Sequence, residues 1–583
     1  MLAAMSTSAP PARATAPSGP ARPAAPAPGD VAAPLADVLA LLVVLLASVV
    51  VVATAAEVLD LRPLASRGGS LLALLVALVP VGLLAAHLVR GRRARPPAAS
   101  RRSRTGRMLL VAAPALLLVA VLLWSFTLPT ADRVAWFVNG DHVRHLVLVA
   151  DERARGALDY ARRDYPRAWH TTVTLGWSVT GPSGPRADLV GLVSLMSALC
   201  WLLYAALTLA TSSLTAALAH RVGVRALPAA VAAALAGAAT LWPGFLGSYQ
   251  TLGFEGTFTA AVVLAVALRE VLVRPSSVTA SVTTWAGVLV TAHTWQLLLP
   301  VSGLLALAAT WARVRWAVPE ERRRRVVESV GLAAVAGAAS LPALTAVVGK
   351  VGVGHAAVGD VEAPVPLWLL ALGLVAAGVL AVSRRRDRDL ILVLALSVLP
   401  ALTAVGLAVR LGIPVTRYYP AKLLWHTTVL GLSSVAVLGA IAWVRAGSAT
   451  LRGVVVRGLL GVVAVSCAVG GALGPRGAFT GVWPTVDAAT VLRLLATPGA
   501  ERAQVVWSNG RLVTDDATRI MLDGYRAEAS RRDTVQHSPS VEEECALLRA
   551  AARPAVLSDR PEEEVRARYA CVPGLEVVRA PAG

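Results

Sequence analysis

Residues 108–129 read Met108-Leu109-Leu110-Val111-Ala112-Ala113-Pro114-Ala115-Leu116-Leu117-Leu118-Val119-Ala120-Val121-Leu122-Leu123-Trp124-Ser125-Phe126-Thr127-Leu128-Pro129, and the chain then turns polar. A helix needs about 20 predominantly apolar residues to cross a bilayer core. Comparable runs recur at about 34–56, 70–89, 189–212, 226–245, 257–275, 280–293, 297–312, 328–347, 365–383, 390–410, 421–444 and 454–473. With 56% hydrophobic residues, 15% charged and a mean hydropathy of +0.64, the thirteen runs predict an all-α polytopic membrane protein. Two of them, 280–293 and 297–312, are short and read as a broken or re-entrant pair.

The formal charge of +20 would suggest a nucleic-acid partner in a soluble protein, but its distribution excludes that reading. Residues 90–107 carry eight arginines and no acid, 313–325 carry six, 384–389 carry four and 445–457 carry three. If the spans alternate, these segments share one side, which the positive-inside rule makes cytoplasmic. The tail from residue 474 has 14 arginines against 15 acids. The basic charge therefore belongs to the membrane part and reports orientation. The expected topology is a multi-pass plasma-membrane protein with a cytoplasmic N-terminus and an extracytoplasmic C-terminus.

Four parts follow. Residues 1–30, rich in Ala, Pro and Ser, read as a disordered cytoplasmic leader. Residues 31–95 form an extra transmembrane hairpin, and 108–473 a membrane core with an outer loop at 131–188. Residues 474–583 read as a small extracytoplasmic α/β domain, because short apolar runs alternate with amphipathic ones. Strands are expected at 504–507, 555–557 and 575–578, with helices at 515–530, 540–552 and 561–570. Cys200 and Cys467 lie inside apolar runs as buried thiols. Cys545 and Cys571 lie in the tail, where an oxidising exterior would permit a disulfide.

The outer loop carries Gly140-Asp141-His142-Val143-Arg144-His145 and Asp164-Tyr165-Pro166-Arg167-Ala168-Trp169-His170. A carboxylate, arginines and three histidines near a membrane surface are costly to keep and hard to explain as packing. Asp141, Arg144 and His145 follow i, i+3, i+4 spacing, so a helix would place them on one face. Leu146 to Val149 read as a segment docking on the membrane surface. Asp141 is a candidate general base or metal ligand, weighed evenly against a capping or salt-bridging role. Asp151, Glu152, Asp159 and Asp164 compete, but their arginine-rich surroundings read as a solvated face.

The second cluster is Arg417-Tyr418-Tyr419-Pro420-Ala421-Lys422-Leu423-Leu424-Trp425-His426. Lys422 is one of two lysines in a chain with 53 arginines, and it is i, i+4 to His426. Arg and Lys bind phosphate differently, as a fork and as a compact charge. The functional reading is a clamp on a lipid-linked phosphate, favoured two to one over snorkelling in the interfacial aromatic belt. His293 and Gln296, like Gly247–Gln250 and Glu255, cap outer turns; each alone reads as structural. There is no Walker-type loop, no His/Cys set with zinc spacing and no Gly-x-Ser-x-Gly elbow, which argues against ATP-driven transport and hydrolase chemistry.

At these residues the chain resembles the membrane-embedded glycosyltransferases of the GT-C type. Asp141-x-x-Arg144 followed by Tyr165-Pro166-x-x-Trp169 is similar to the corresponding loop of actinobacterial cell-wall arabinofuranosyltransferases. Tyr418-Tyr419-x-x-Lys422 is similar to a late outer motif among such proteins. The resemblance implies a polyprenyl-phosphate-linked sugar donor, a cell-envelope glycan or lipid acceptor, and Asp141 as the catalytic base. Arg144, Arg417 and Lys422 would hold the donor phosphate, while His170, His293 and His426 would orient sugar or phosphate. His145, Tyr165, Trp169, Gln296, Tyr418 and Tyr419 would complete the substrate site. No second acid stands beside Asp141, which leaves the need for a divalent metal open. The competing reading is a transporter or flippase of a lipid-linked saccharide, which would want polar residues deep in the bilayer and internal repeats.

Overall fold

The computed structural model describes residues 32–93, 101–138, 141–156, 168–180, 189–240, 255–350, 365, 367–446, 486–510, 512–523 and 540–581. Among these, nine helices are long and apolar enough to cross a membrane. They are α1 (Ala33–Val58), α2 (Arg67–Arg93), α3 (Arg101–Ser125), α7 (Leu189–Arg221), α9 (Glu255–Val273), α11 (Leu299–Arg315), α12 (Pro319–Lys350), α14 (Arg388–Leu411) and α15 (Tyr418–Arg445). Three apolar helices are shorter: α8 (Ala226–Ala239), α10 (Val278–Ala292) and α13 (Leu367–Ser383). Twelve of the thirteen expected runs are thus helical, and 454–473 lies outside the described residues. In the short pair, 297–312 is long enough to cross, whereas 280–293 is a 15-residue helix.

Local chemistry sets several helix ends. Ser277 caps α10 by accepting from the Ala280 amide at 3.0 Å, and Asp387 caps α14 by accepting from the Leu390 amide at 3.1 Å. Gly412, in the left-handed region at φ 65°, closes α14. The centre of the bundle is α9, with 89% of its most apolar stretch buried, packed against α7, α10 and α15. A Cβ on Gly373 would stand 3.1 Å from the Gly431 Cα, and one on Gly431 would stand 2.9 Å from the Gly373 Cα. This glycine pair lets α13 and α15 meet backbone to backbone, as small residues do between helices in lipid. By contrast α2 exposes Leu71, Leu72, Leu75, Val76, Val79 and Leu83, an apolar face suited to lipid tails.

Two of the arginine-rich segments, 313–325 and 384–389, come together. Arg221, Arg315, Arg384, Arg385, Arg386 and Arg388 line a single cavity of about 730 Å³, with Arg221 held on Asp387 at 2.8 Å. The neighbouring Arg221 holds the Asp387 carboxyl below the usual carboxylate range against the opposing effect of burial.

Between α3 and α7 lie α4 (Thr130–Val134), α5 (Asp141–Arg155) and α6 (Ala168–Thr180). Three expectations change here. Leu146 and Val149 are fully buried in the protein core rather than laid on a membrane surface. Asp151 and Glu152 are buried at 2% and 1% exposure, not on a solvated face. Arg144 is exposed whereas its neighbour His145 is buried, because successive helical residues are rotated by about 100°. Asp159, Asp164 and Tyr165 lie outside the described residues.

The C-terminal part comprises α16 (Ala488–Leu495), β1 (Val505–Val506), α17 (Leu512–Asp523), α18 (Val541–Arg549), β2 (Ala555–Ser558), α19 (Glu562–Arg568) and β3 (Glu576–Arg579). The strands form one parallel sheet in the order β1-β2-β3, with Val506 opposite Leu557 and Leu557 opposite Val578. Parallel neighbours need crossovers, and α17, α18 and α19 supply them. A reciprocal capping box between Ser540 and Glu543 starts α18. Cys545 and Cys571 are joined by a disulfide with a Cα–Cα distance of 6.2 Å. This unit rests on the loop helices, with α17 packing against α5 and α16 against α4.

Candidate functional site

Helix α5 turns His142, Val143, His145, Leu146 and Val149 inward, an amphipathic pattern that sinks two imidazoles into the protein. They meet Glu255, the first residue of α9, at 0% exposure. His142 Nδ1 donates to Glu255 Oε1, and His145 Nε2 lies 2.8 Å from Oε2. The thiol of Cys200, on α7, is 3.4 Å from Oε1. On its other side, His145 Nδ1 is 2.6 Å from His170 Nε2 on α6. One tautomer set satisfies the row: His170 donates to His145, and His145 and His142 both donate to the carboxylate. Aromatic rings close the cluster, with Phe137 at 4.6 Å and Trp136 at 5.3 Å from the His142 ring centroid.

Further along α5, the Thr174 hydroxyl donates to Glu152 Oε2 at 3.0 Å, joining α5 to α6. The Arg153 guanidinium lies 4.1 Å from the Trp177 ring, a cation–π contact, and burial lowers its pKa from the usual value. Asp141 opens α5 and so precedes the anchored His142 by one residue.

The second cluster forms on the first turns of α15. Lys422 is 2% exposed, with Nζ 3.7 Å from the Tyr418 ring centroid and 5.4 Å from that of Trp295. Trp295 stacks on Tyr419 at 5.6 Å. One turn deeper, His426 is 1% exposed, and among the described residues neither of its ring nitrogens has a hydrogen-bond partner. His293 Nε2 donates to the Ala339 carbonyl at 2.7 Å, which is a structural use of that ring nitrogen. Gln296 and Arg417 are half-buried at the starts of their turns.

The two clusters are neighbours. The Ala168 amide donates to the His293 carbonyl at 2.8 Å, so the start of α6, with Trp169 and His170, is tied to the end of α10. Phe258, one turn beyond Glu255, meets Trp425 edge-on at 5.2 Å and Tyr204 at 4.9 Å. His145, Trp169, His170, His293, Tyr418, Tyr419, Lys422 and His426 are thereby gathered around the N-terminal turn of α9 and the end of α10. Arg144 is exposed, on a different face of α5 from the buried histidines.

Glu255 is the residue that sequence reasoning undervalued, together with Cys200 and Glu152. An acid opening a 19-residue helix whose next thirteen residues carry no charge was the available signal. Its imidazole partners lie more than a hundred residues away, so no local motif announces them. At the other end of α9, Glu270 meets Arg269 at 2.5 Å and Arg274 at 2.6 Å, and Arg274 reaches Asp37 of α1 at 2.5 Å. No protein-family model, curated protein or solved structure matches the chain.

Proposed function

We propose that the protein is a GT-C-like glycosyltransferase. It moves a sugar from a polyprenyl phosphate to a cell-envelope acceptor on the outer face of the plasma membrane. In this reading the N-terminus is cytoplasmic, and the α/β unit is extracytoplasmic over the site. The observation that carries it is the pairing on α15 of a buried lysine with a buried histidine one turn away. A compact cation, and an imidazole whose ring nitrogens have no hydrogen-bond partner among the described residues, suit a phosphate that must enter and leave.

Asp141 takes the acceptor hydroxyl proton, and the acceptor oxygen forms its bond to the anomeric carbon. The bond from that carbon to the phosphate oxygen breaks. The polyprenyl phosphate leaves with its added charge held by Lys422, Arg417 and His426. The tyrosines and Trp295 hold Lys422 over apolar surface, where a charge interacts more strongly than in water.

The test is donor affinity and sugar transfer measured separately in lipid nanodiscs. Asp141→Asn should reduce turnover by ~10²–10⁴ with donor affinity retained. Lys422→Ala should weaken donor binding by about 1.5–3 kcal/mol, the range for a lost hydrogen bond to a charged group. A flippase predicts no such division, because both changes would act on translocation. Near-normal transfer by Asp141→Asn would remove it as the base.

A further inference from the structure

We propose that His142 Nδ1, Cys200 Sγ and a Glu255 carboxylate oxygen bind one divalent transition-metal ion of the zinc type. These three donors come from α5, α7 and α9, lie within 4.8 Å of one another, and belong to side chains with no solvent exposure. Imidazole, thiolate and carboxylate are the usual zinc ligands, at about 2.0–2.3 Å from the ion. Bonds of that length in a tetrahedron place the donors roughly 3.3–3.7 Å apart. Cys200 Sγ and Glu255 Oε1, at 3.4 Å, already stand at that separation. His142 stands closer to Glu255 and would draw back as an ion enters.

Charge supports the same assignment. A divalent cation with one thiolate and one carboxylate is neutral, the condition a fully buried site favours. On binding, the Cys200 thiol loses its proton to solvent. His142, which carries its proton on Nδ1 while it donates to Glu255, would carry it on Nε2 in the metal-bound state and so offer the Nδ1 lone pair to the ion. The surroundings also fit. Glu255 Oε2 is 2.8 Å from His145, and His145 is 2.6 Å from His170, an outer row of the kind that orients metal ligands. Trp136, Phe137 and Tyr204 wall the site with aromatic surface. The ion would pin the loop helix α5 to two core helices. Its ligands are 58 and 55 residues apart, so they show no motif spacing.

The proposal stands apart from the glycosyltransferase reading, because metal content is read without any transfer assay. Full-length protein is purified into lipid nanodiscs without chelating resin, and its metals are quantified by mass spectrometry. The expected result is about one equivalent of zinc per chain, falling below about a tenth in Cys200→Ala and Glu255→Gln. Cobalt(II) added to metal-stripped wild-type protein should give a thiolate-to-cobalt charge-transfer absorption, which needs no variant to fold. Wild-type protein that holds no metal and shows no such band overturns the site. Zinc retained undiminished in Cys200→Ala, an adventitious ion only, overturns it as well.

Discussion

Removing the Glu255 carboxylate should be among the most damaging single changes in the molecule. Glu255→Ala leaves two imidazoles and a thiol facing a void at 0% exposure, where water cannot replace the lost acceptor. Deleting the carboxylate orphans two buried imidazole donors, each at a cost of about 1–3 kcal/mol. Glu255→Gln should cost less. Its amide oxygen still accepts from one imidazole, but its NH₂ faces the other. If that is His145, the tautomer row through His170 must reverse, because the two rings are 2.6 Å apart. Losing one hydrogen bond in that rearrangement is worth about 1–2 kcal/mol. Unfolding in mixed detergent should therefore rank wild type above Glu255→Gln and Glu255→Ala lowest. A cycle with His142→Ala should show coupling between the two positions of about 0.5–3 kcal/mol. Wild-type stability in Glu255→Ala, or a cycle that closes to zero, would refute the cluster as a structural tie.

Two further changes probe the frame around the site. Gly431→Leu should push α13 off α15, since even a Cβ would stand 2.9 Å from the Gly373 backbone; clashes of this kind cost about 1–3 kcal/mol, and wild-type thermal stability would disprove the close crossing. In the C-terminal unit, burial pushes the Asp515 carboxyl up to about 6 despite hydrogen bonds from Ser508. The folded protein therefore keeps a proton that the unfolded chain releases near 3.8, so this stabilisation is full below that pH and is lost as pH rises to about 6. The loss amounts to about 2–3 kcal/mol, and Asp515→Asn should match wild type at pH 4 but exceed it at pH 7 in thermal scans; an unchanged pH profile would contradict the assignment.

What the sequence made legible follows from the range of the interactions involved. Apolar runs and arginine blocks are local signals, so the helices, and the meeting of Arg315 with residues 384–388, could be read directly, whereas Arg221 stands in no arginine block. The tail's strand positions were likewise local, since short apolar runs bounded by turns mark them within a residue or two. Burial was not local. Asp151 and Glu152 looked solvated beside arginines, yet Arg155 pairs with Asp151 at 2.5 Å and Thr174 covers Glu152. The i, i+3, i+4 relation grouped Asp141 with Arg144 and His145, while the packing of α5 on α6 and α7 buried His142 and His145 and left Arg144 exposed.

That selection bears on how a loop residue can be placed for chemistry. Asp141 begins its helix, where backbone is ordinarily least constrained. Its chain neighbour His142 is locked between a carboxylate and two aromatic rings, and His145, one turn on, is held from both sides. Glu255 is itself well placed to take this load. It opens α9, where the helix dipole favours a negative charge. Catalytic groups must be held to about half an ångström by supporting residues that touch no substrate. The buried histidines of α5 meet that requirement from inside the bundle. The same α9 that anchors them carries Phe258 against Trp425, beside His426 and one turn from Lys422. One helix end thus fixes the spacing between the residue proposed to take the acceptor proton and the residues proposed to hold the donor phosphate. A change at Glu255 should on this argument loosen both at once, although it touches neither substrate.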